Sequence, residues 1–318
     1  MPPWIWPKPD ILGTVSIAQM GNDHMPMRPH PTLLTRLLAF FALPLPLSML
    51  RRQFWVLGLL ILSACSPRQE TGGAKPLVIG TDATYPPFEF KDAGGELSGV
   101  SIEMGRALAQ HLGRPVEFRN IAFDGLITAL QTGSIDIIIS SMTANDERRK
   151  SLDFSDPYVT TGICLLLPKN STLKSADELK EGQHTVVVKI ATTGEQWARA
   201  NLLKARIVAL DSDPACVMEV GKGSADAWVY DQISVMNYGL RNPDTTKALL
   251  APIRTEQWAV GLRKNDDLRA PINAFIADYR AKGGFGRLAD KYLAKERDFM
   301  NGQGLPFVFD ALAPVSKP

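Results

Sequence analysis

Short apolar runs alternate along this chain with segments in which apolar residues recur every three or four positions. Leu77–Thr81 and Val116–Asn120 are predicted strands, and residues 102–112 between them place apolar side chains on one face of a helix. The same alternation returns over residues 184–230. Alternating strand and helix signals predict parallel sheets with right-handed helical connections, so the pattern indicates an α/β fold.

A Gly-x-x-Asp turn between a helix and a buried strand occurs twice, ninety positions apart. Gly133 to Asp136 leads into Ile-Ile-Ile, and a polar residue, Ser141, follows five positions after the Asp. Gly223 to Asp226 leads into Ala-Trp-Val-Tyr, and Asp231 again follows five positions later. Each Gly suits a left-handed helix cap. The matched flanks predict two related lobes.

The segment 137–158 carries the strongest signal for a binding site. An apolar strand ends in Ser140, Ser141, Met142 and Thr143, and an Asn-Asp-Glu helix start then carries Arg148 in its first turn. Arg binds a carboxylate through two parallel hydrogen bonds, and ligands of α/β sheets bind where strands end. A structural interpretation competes, in which Asn145 caps a surface helix and Arg148 forms an ion pair in solvent.

If the two lobes face each other, they present opposite charges to one cleft. The first lobe contributes Arg148 with Ser141 and Thr143, and the second contributes Asp231. A cation for a carboxylate and an anion for an ammonium group predict a receptor for an α-amino acid zwitterion.

Four segments in order resemble one protein family. They are GTDATYPPFEF (80–90), AFDGLITALQTGSID (122–136), residues 140–158 and GSADAWVYD (223–231). Over residues 76–295 the chain is similar to the polar amino-acid-binding group of bacterial extracellular solute-binding proteins, family 3. This group includes the glutamine, histidine and lysine/arginine/ornithine receptors of ABC importers. The resemblance implies a type II periplasmic-binding-protein-like α/β fold, in which a two-strand hinge joins two lobes around a ligand cleft.

The resemblance also divides the chain. Residues 76–160 plus 256–300 are expected to form lobe 1, and residues 163–254 lobe 2. Residues 301–318 are expected to be a C-terminal tail, with the chain extended from Phe299 onward.

The family pattern assigns roles to individual residues. It implies that Arg148 holds the ligand carboxylate, that Ser141, Met142 and Thr143 surround this main-chain end, and that Asp231 receives the ammonium group. Asp82, Tyr85, Phe123, Thr192 and Thr193 complete the predicted site, with Glu89, Lys189 and Tyr230 as further wall candidates.

Some of these residues have structural alternatives. Thr192 with Glu195 fits a capping box, Phe123 could be a core residue, and Asp82 could cap a turn. The chain departs from the family at Ala191, where Gly is usual, and at Ser101, where an acid is frequent. We expect Ser101 to affect the surface.

The first 65 residues are predicted to be a leader. Positive charge at Arg51 and Arg52, a short apolar run and small residues make 49–64 a predicted signal peptide. Leu-Ser-Ala-Cys65 resembles a lipobox, which implies a lipid anchor on Cys65 at the cell envelope or periplasm and a linker at 66–75. A plain secretory signal is the alternative. Translation starting at Met49 instead of Met1 is a further hypothesis.

Composition excludes several classes of protein. A net charge of +2 over 318 residues with 45% hydrophobic residues gives no basic surface for nucleic acid. The four His residues are scattered and no Cys-x-x-Cys occurs, so we expect no metal and no other cofactor. Cys164 and Cys216 are expected to be separate buried thiols, although an oxidising compartment permits a disulfide.

The expected function is that of a monomeric binding protein that delivers a polar amino acid, glutamine or a basic one, to an ABC permease. The alternative is a periplasmic dehydratase of the cyclohexadienyl/arogenate type on the same fold. Such an enzyme requires a general acid, for which Asp82, Glu89 or Lys189 would be candidates.

Overall fold

The computed structural model describes residues 74–310, and it confirms an α/β fold with two lobes. In chain order the strands are β1 (Leu77–Thr81), β2 (Thr84–Tyr85), β3 (Glu89–Lys91), β4 (Leu97–Ser98), β5 (Val116–Asn120), β6 (Ile137–Ile138), β7 (Asp153–Phe154), β8 (Val159–Pro168), β9 (Thr185–Lys189), β10 (Arg206–Leu210), β11 (Ala227–Asp231), β12 (Thr246–Trp258) and β13 (Gly261–Leu262). The helices are α1 (Val100–His111), α2 (Leu126–Gln131), α3 (Asp146–Arg149), α4 (Glu178–Glu181), α5 (Thr193–Asn201), α6 (Asp213–Gly221), α7 (Gln232–Arg241), α8 (Arg269–Ala281), α9 (Gly284–Tyr292) and α10 (Ala294–Gly302).

Each lobe is built on one five-stranded sheet. The first sheet has the order β5-β1-β6-β13-β7, and the second has the order β10-β9-β11-β8-β12. The groups β5/β1/β6 and β10/β9/β11 are parallel, and β13 and β8 pair antiparallel with β6 and β11. A small sheet, β2-β3-β4, lies beside the first. None of the helices among residues 74–310 has both the length and the hydrophobicity needed to cross a bilayer.

The two Gly-x-x-Asp turns form the same structure. Gly133 and Gly223 adopt left-handed φ values of 76° and 75°. The Asp136 carboxylate accepts a hydrogen bond from the backbone N–H of Val78, and Asp226 accepts one from Thr185 in the same way. Each Asp therefore binds the start of the neighbouring parallel strand. The two lobes thus share this hydrogen bond as well as the turn itself.

The two connections between the lobes run side by side. Strand β8 leaves the first lobe at Val159 and pairs antiparallel with β12, where Trp258 lies opposite Val159. The register of this pair shifts between Leu249 and Arg254. Trp258 is fully buried, and its ring packs edge-on against Phe88 at 4.9 Å between centroids. This packing anchors the returning strand in the first lobe, because burying a large aromatic side chain contributes about 2–3 kcal/mol.

Some local expectations fail. The chain is not extended from Phe299, because residues 299–302 continue helix α10. Beyond the helix, Phe307 and Val308 are buried, and the Val308 carbonyl accepts a hydrogen bond from the backbone N–H of Thr160. The leader with Cys65, most of the linker and residues 311–318 lie outside the described residues.

Cys164 and Cys216 are free and buried. Burial raises the pKa of each thiol to about 12, and the thiolate is the reactive form. Neither thiol should therefore react with iodoacetamide at pH 8 in the native full chain, whereas both should react in urea. Peptide mass mapping checks this site by site. A native peptide that joins Cys164 to Cys216 with the loss of two hydrogens would contradict it.

Candidate ligand-binding cleft

A small cleft with a free volume of about 20 Å³ lies between the lobes. It is lined by Asp82, Tyr85, Glu89, Phe123, Ser140, Ser141, Thr143, Arg148, Lys189, Thr192, Thr193, Tyr230 and Asp231. The structure thus brings together all the predicted ligand-binding residues except Met142.

The polar side chains of the cleft come from the ends of parallel strands in both sheets. Asp82 follows β1 and Ser141 follows β6 in the first lobe, while Lys189 ends β9 and Asp231 ends β11 in the second. The carboxyl ends of both parallel sheets therefore open onto one cleft, as is usual for ligand sites in α/β proteins.

Arg148 is buried at the centre of the cleft wall, with 5% of its surface exposed. Its guanidinium donates hydrogen bonds to the Thr143 carbonyl at 2.9 Å and, across the cleft, to the Ala191 carbonyl at 3.0 Å. Burial lowers its pKa to about 10, so the group is a cation at neutral pH. Guanidinium has five N–H donors, and the described residues accept only two of them. The others remain available to a carboxylate.

The competing structural interpretation of this helix is half right. The Asn145 side chain does cap helix α3, since it accepts a hydrogen bond from the Arg148 backbone N–H at 2.9 Å. Its amide also donates to Gln196 of the second lobe at 2.8 Å. However, Arg148 does not form an ion pair in solvent. The cap fixes the start of α3 and so aims this side chain into the cleft.

The loop before α5 contains the Gly-to-Ala departure from the family pattern. Ala191 adopts a left-handed φ of 62°, a conformation that costs a residue with a Cβ about 1–2 kcal/mol. Thr192 caps α5 by accepting from the Glu195 backbone N–H, and the Glu195 carboxylate accepts from the Ala191 N–H at 2.7 Å. These bonds hold the Ala191 carbonyl against Arg148, so the capping interpretation and a place in the cleft are compatible.

Asp231 faces Arg148 from the second lobe. Its Oδ1 is shielded from solvent and has no hydrogen-bond partner among the described residues. Burial, then the charges of Glu256 and Asp213, raise the pKa of Asp231, while Arg148 acts in the opposite direction. A carboxyl group in this state is ready to ionise against an incoming cation, because an opposite charge at contact favours the ionised form.

A second charge pair lies at the other end of the cleft. The Lys189 ammonium group donates hydrogen bonds to the Asp82 carboxylate at 2.9 Å and to the Thr84 hydroxyl at 3.0 Å. Asp213 lies 3.7 Å from the same ammonium group. Lys189 is 2% exposed and Asp82 6% exposed. The Asp82 carboxylate accepts bonds from Lys189 across the cleft and from the Thr84 hydroxyl in the turn that follows it, so the turn interpretation and a place in the cleft are compatible.

Aromatic rings form the walls between the two charge pairs. The Phe123 ring lies 5.3 Å from the Arg148 guanidinium carbon and 6.0 Å from the Lys189 ammonium nitrogen, distances at which cations interact with a ring face. Phe123 also packs on the core of the first lobe, so the core interpretation and a position in the cleft wall are compatible. On the other side, Tyr85 and Tyr230 lie 5.9 Å apart.

Comparisons with known proteins agree with this geometry. The family profile of the bacterial extracellular solute-binding proteins, family 3, matches residues 77–295. The chain belongs to this family. Among relatives, it is 32% identical to the L-cystine-binding protein TcyJ of Escherichia coli over 69% of this chain and 83% of the relative. It is also 32% identical to the L-arginine-binding protein of Pseudomonas aeruginosa, over 75% of this chain and 95% of the relative.

Solved structures of similar proteins confirm the type II binding-protein fold. An ancestral amino acid-binding protein, AncCDT-1, described as a precursor of cyclohexadienyl dehydratase, is 36% identical with a TM-score of 0.64, covering 68% of this chain and 95% of its own. An ancestral arginine-binding protein, solved bound to arginine and bound to glutamine, is 34% identical with the same TM-score, covering 68% and 97%.

One departure from the family pattern lies inside the molecule. Ser101 was expected to affect the surface, but it is fully buried. Next to it lies Glu89, which is 1% exposed and whose Oε2 has no hydrogen-bond partner among the described residues. Burial raises the pKa of Glu89 to about 8, although hydrogen bonds from the hydroxyls of Ser101 and Ser141 act to lower it. At neutral pH this family member therefore presents a protonated carboxyl group to its cleft, able both to donate and to accept.

Met142 does not line the cleft. Its side chain is fully buried and packs in a first-lobe cluster that contains Leu126, Leu152 and Phe154. The chain turns after β6 at Ser141, whose φ is 47°, and Met142 follows this turn with its side chain in the first-lobe core. We assign it to packing.

Sequence reasoning missed Glu256, which joins both lobes beneath the cleft. Its Oε2 accepts hydrogen bonds from the hydroxyls of Thr143 in the first lobe at 2.8 Å and Thr193 in the second at 2.7 Å. Arg254 donates to its other oxygen at 2.6 Å. Only the register of β12 against β8 places it there, and no local motif announces it. Asp213 was also missed, because Ser-Asp-Pro looks like an ordinary helix start.

Glu89 makes the stability of the unliganded protein depend on pH. The folded state holds a proton up to about pH 8 that the unfolded chain loses near pH 4.5, so stability falls as pH rises through this window. Gln cannot ionise. Glu89→Gln should therefore match the wild type near pH 4.5 and exceed it at pH 8 by on the order of 3 kcal/mol. Urea unfolding at both pH values measures this.

The exposed Glu96 offers the matched control. Glu96→Gln should keep the pH profile of the wild type. If Glu89→Gln loses stability with pH in parallel with the wild type, Glu89 is ionised in the folded protein and the assignment is wrong.

Proposed function

We propose that this chain is the substrate-binding component of an ABC importer, which binds a polar L-amino acid and delivers it to the membrane permease. The observation that carries the proposal is the opposed pair of Arg148 and Asp231 in one cleft. The cation has unused donors for a carboxylate, and the shielded carboxyl oxygen lacks a partner that an ammonium group would provide. The relatives named for cystine, arginine and histidine support this class of ligand.

The side-chain end of the ligand would lie toward Asp82 and Glu89, between the rings of Phe123 and Tyr85. Hydrogen-bonding groups at this end suit glutamine or a basic amino acid. Glutamine has a specific precedent, because an ancestral arginine-binding protein of the same fold was solved with either ligand.

The proposal extends to the cell envelope. The predicted signal peptide at 49–64 would direct the protein to the membrane. Lipidation of Cys65 would then hold it at the membrane surface beside its permease, as a monomer. Globomycin, which blocks lipoprotein signal cleavage, should then cause an unprocessed form to accumulate in cells. Release of the protein free of membranes, with Cys65 unmodified by mass spectrometry, would overturn the anchor.

A dehydratase is the second candidate, and one observation favours it. Glu89 is a protonated carboxyl group inside a cleft at neutral pH, which is the state a general acid requires, and AncCDT-1 is described as a precursor of such an enzyme. The paired Arg148 and Asp231 favour binding of a complete zwitterion instead.

A thermal-shift panel separates these functions. The full chain, stripped of ligand by unfolding and refolding, is heated with each of the twenty amino acids, L-cystine, ornithine and prephenate. A ligand at one hundred times its Kd stabilises by about 2.7 kcal/mol, or about 5–10 °C at this size. Shifts with polar amino acids are expected. A response to prephenate alone, with release of CO₂ and water, would replace the transport proposal with the enzyme.

Arg148→Ala and Asp231→Ala should each weaken amino acid binding by about 2–5 kcal/mol, because each leaves one end of the zwitterion unpaired in a buried site. Isothermal titration against the best ligand of the panel measures the loss. Arg149→Ala and Asp244→Ala, at exposed positions outside the cleft lining, are the matched controls and should bind normally. Near-normal affinity in either cleft variant, with folding intact by circular dichroism, would refute the site.

A further inference from the structure

A second groove, larger than the ligand cleft, lies elsewhere on the molecule. Its volume is about 530 Å³, within the range of about 300–1,000 Å³ usual for small-molecule sites. One side is formed by α7, β12 and the loop after β8 in the second lobe, and the other by the end of α10 and the segment that follows it. The groove shares no residue with the cleft, so the proposed transport function does not use it.

An irregularity of β12 forms part of the wall of this groove. The register of β12 against β8 shifts between Leu249 and Arg254, so the four residues between them stand opposite one residue of β8, Cys164. The Leu250 carbonyl in this bulge accepts hydrogen bonds from the buried amide of Gln232 at 2.8 Å and from the Cys164 thiol at 3.4 Å. These bonds fix the bulge to the core of the second lobe, and bulges of this kind commonly shape binding sites.

The groove combines apolar surface with positive charge. Its charged lining residues are all lysines, Lys169, Lys174 and Lys247, and no acid is among the described residues that line it. Leu240 is 53% exposed, so part of the apolar surface faces water. The large apolar side chains that line the groove are those of Met236, Leu240, Leu249, Leu250, Phe299 and Leu305.

The three lysines have no acidic partner in the part of the chain that the structure describes. None of the ion pairs within residues 74–310 involves them. The Lys247 ammonium group donates to the Ser171 carbonyl, and Glu178 contacts only the backbone N–H of Lys174. Three uncompensated charges of one sign around a single groove attract an anion.

We infer that this groove binds an anionic amphiphile, a single molecule with an acidic head group on an apolar chain. The head group lies among the lysines, whose ammonium groups supply hydrogen-bond donors as well as charge. The chain covers Leu240, Phe299 and Leu305 and removes their apolar surface from water. Because the lining is concave, one molecule reaches it and a flat bilayer surface does not.

Isothermal titration of the full chain, stripped of ligand by unfolding and refolding, tests this inference with sodium laurate below its micelle-forming concentration. Butyrate has the same head group without the long chain, and dodecyltrimethylammonium has a similar chain with the opposite charge. Laurate should bind at least tenfold more tightly than either, because only laurate satisfies both the lysines and the apolar lining. Equal binding of the cationic amphiphile would mean that the lysines play no part, and would overturn the inference.

Two variants locate the site, since apolar segments elsewhere in the full chain could also take up laurate. Leu240→Glu introduces a negative charge into the apolar side of the groove and should weaken laurate binding at least tenfold. The double variant Lys169→Gln with Lys174→Gln removes two of the three cations and should have a similar effect. Neither variant touches the cleft, so amino acid binding should be unchanged in both.

Matched controls change the same residue types outside the groove. Leu203→Glu alters a leucine that is 85% exposed, and the double variant Lys204→Gln with Lys222→Gln alters two lysines with largely exposed side chains. Both controls should bind laurate as the wild type does. Circular dichroism establishes that each variant is folded.

Several outcomes would overturn the inference. These are the absence of laurate binding by the wild type, and an unchanged laurate affinity in the folded groove variants. Binding to phosphatidylglycerol vesicles without binding of monomeric laurate would assign the groove to a membrane surface instead. A dimer in sedimentation that Leu240→Glu dissociates, again without laurate binding, would assign it to a second copy of the chain. A failure of amino acid binding would leave the inference standing, because the two sites share no residue.

Discussion

The cost of burying charge is the constraint on which this cleft depends. Removing an ammonium or carboxylate group from water costs several kcal/mol unless an opposite charge or hydrogen bonds compensate it. Lys189 is compensated by Asp82 and Asp213, and Arg148 by two backbone carbonyls. Asp231 lacks such compensation at its Oδ1. The ammonium group of the proposed ligand would supply an opposite charge there.

Several hydrogen bonds of the cleft also connect the two lobes. The Lys189–Asp82, Arg148–Ala191 and Asn145–Gln196 hydrogen bonds cross between the lobes. Glu256, on the strand that returns to the first lobe, receives a hydroxyl from each side. A ligand that engages the cleft competes for these groups, so ligand binding and the relative position of the lobes are coupled through a small number of hydrogen bonds.

The chemical similarity between this cleft and the active site of an enzyme depends on one residue, Glu89, more than on the fold. The protonated Glu89 carboxyl group is chemically suited to donate a proton, but it is equally suited to recognise an amide. Fold similarity does not distinguish these uses. The proposal of amino acid binding rests instead on the part of the cleft where Arg148 and Asp231 lie.

Much of this protein could be predicted from local patterns. Apolar periodicity located β1 and β5, and the repeated Gly-x-x-Asp turn predicted two related lobes, because a left-handed cap and a strand-opening Asp are determined by neighbouring residues. Motif order placed Arg148, Thr143 and Asp231 in one site. Only the tertiary structure decided that Lys189 reaches Asp82, that Glu256 bridges Thr143 and Thr193, and that Ser101 and Met142 are buried. These contacts join residues up to 113 positions apart, and they depend on strand register and side-chain direction, which short-range sequence patterns do not encode.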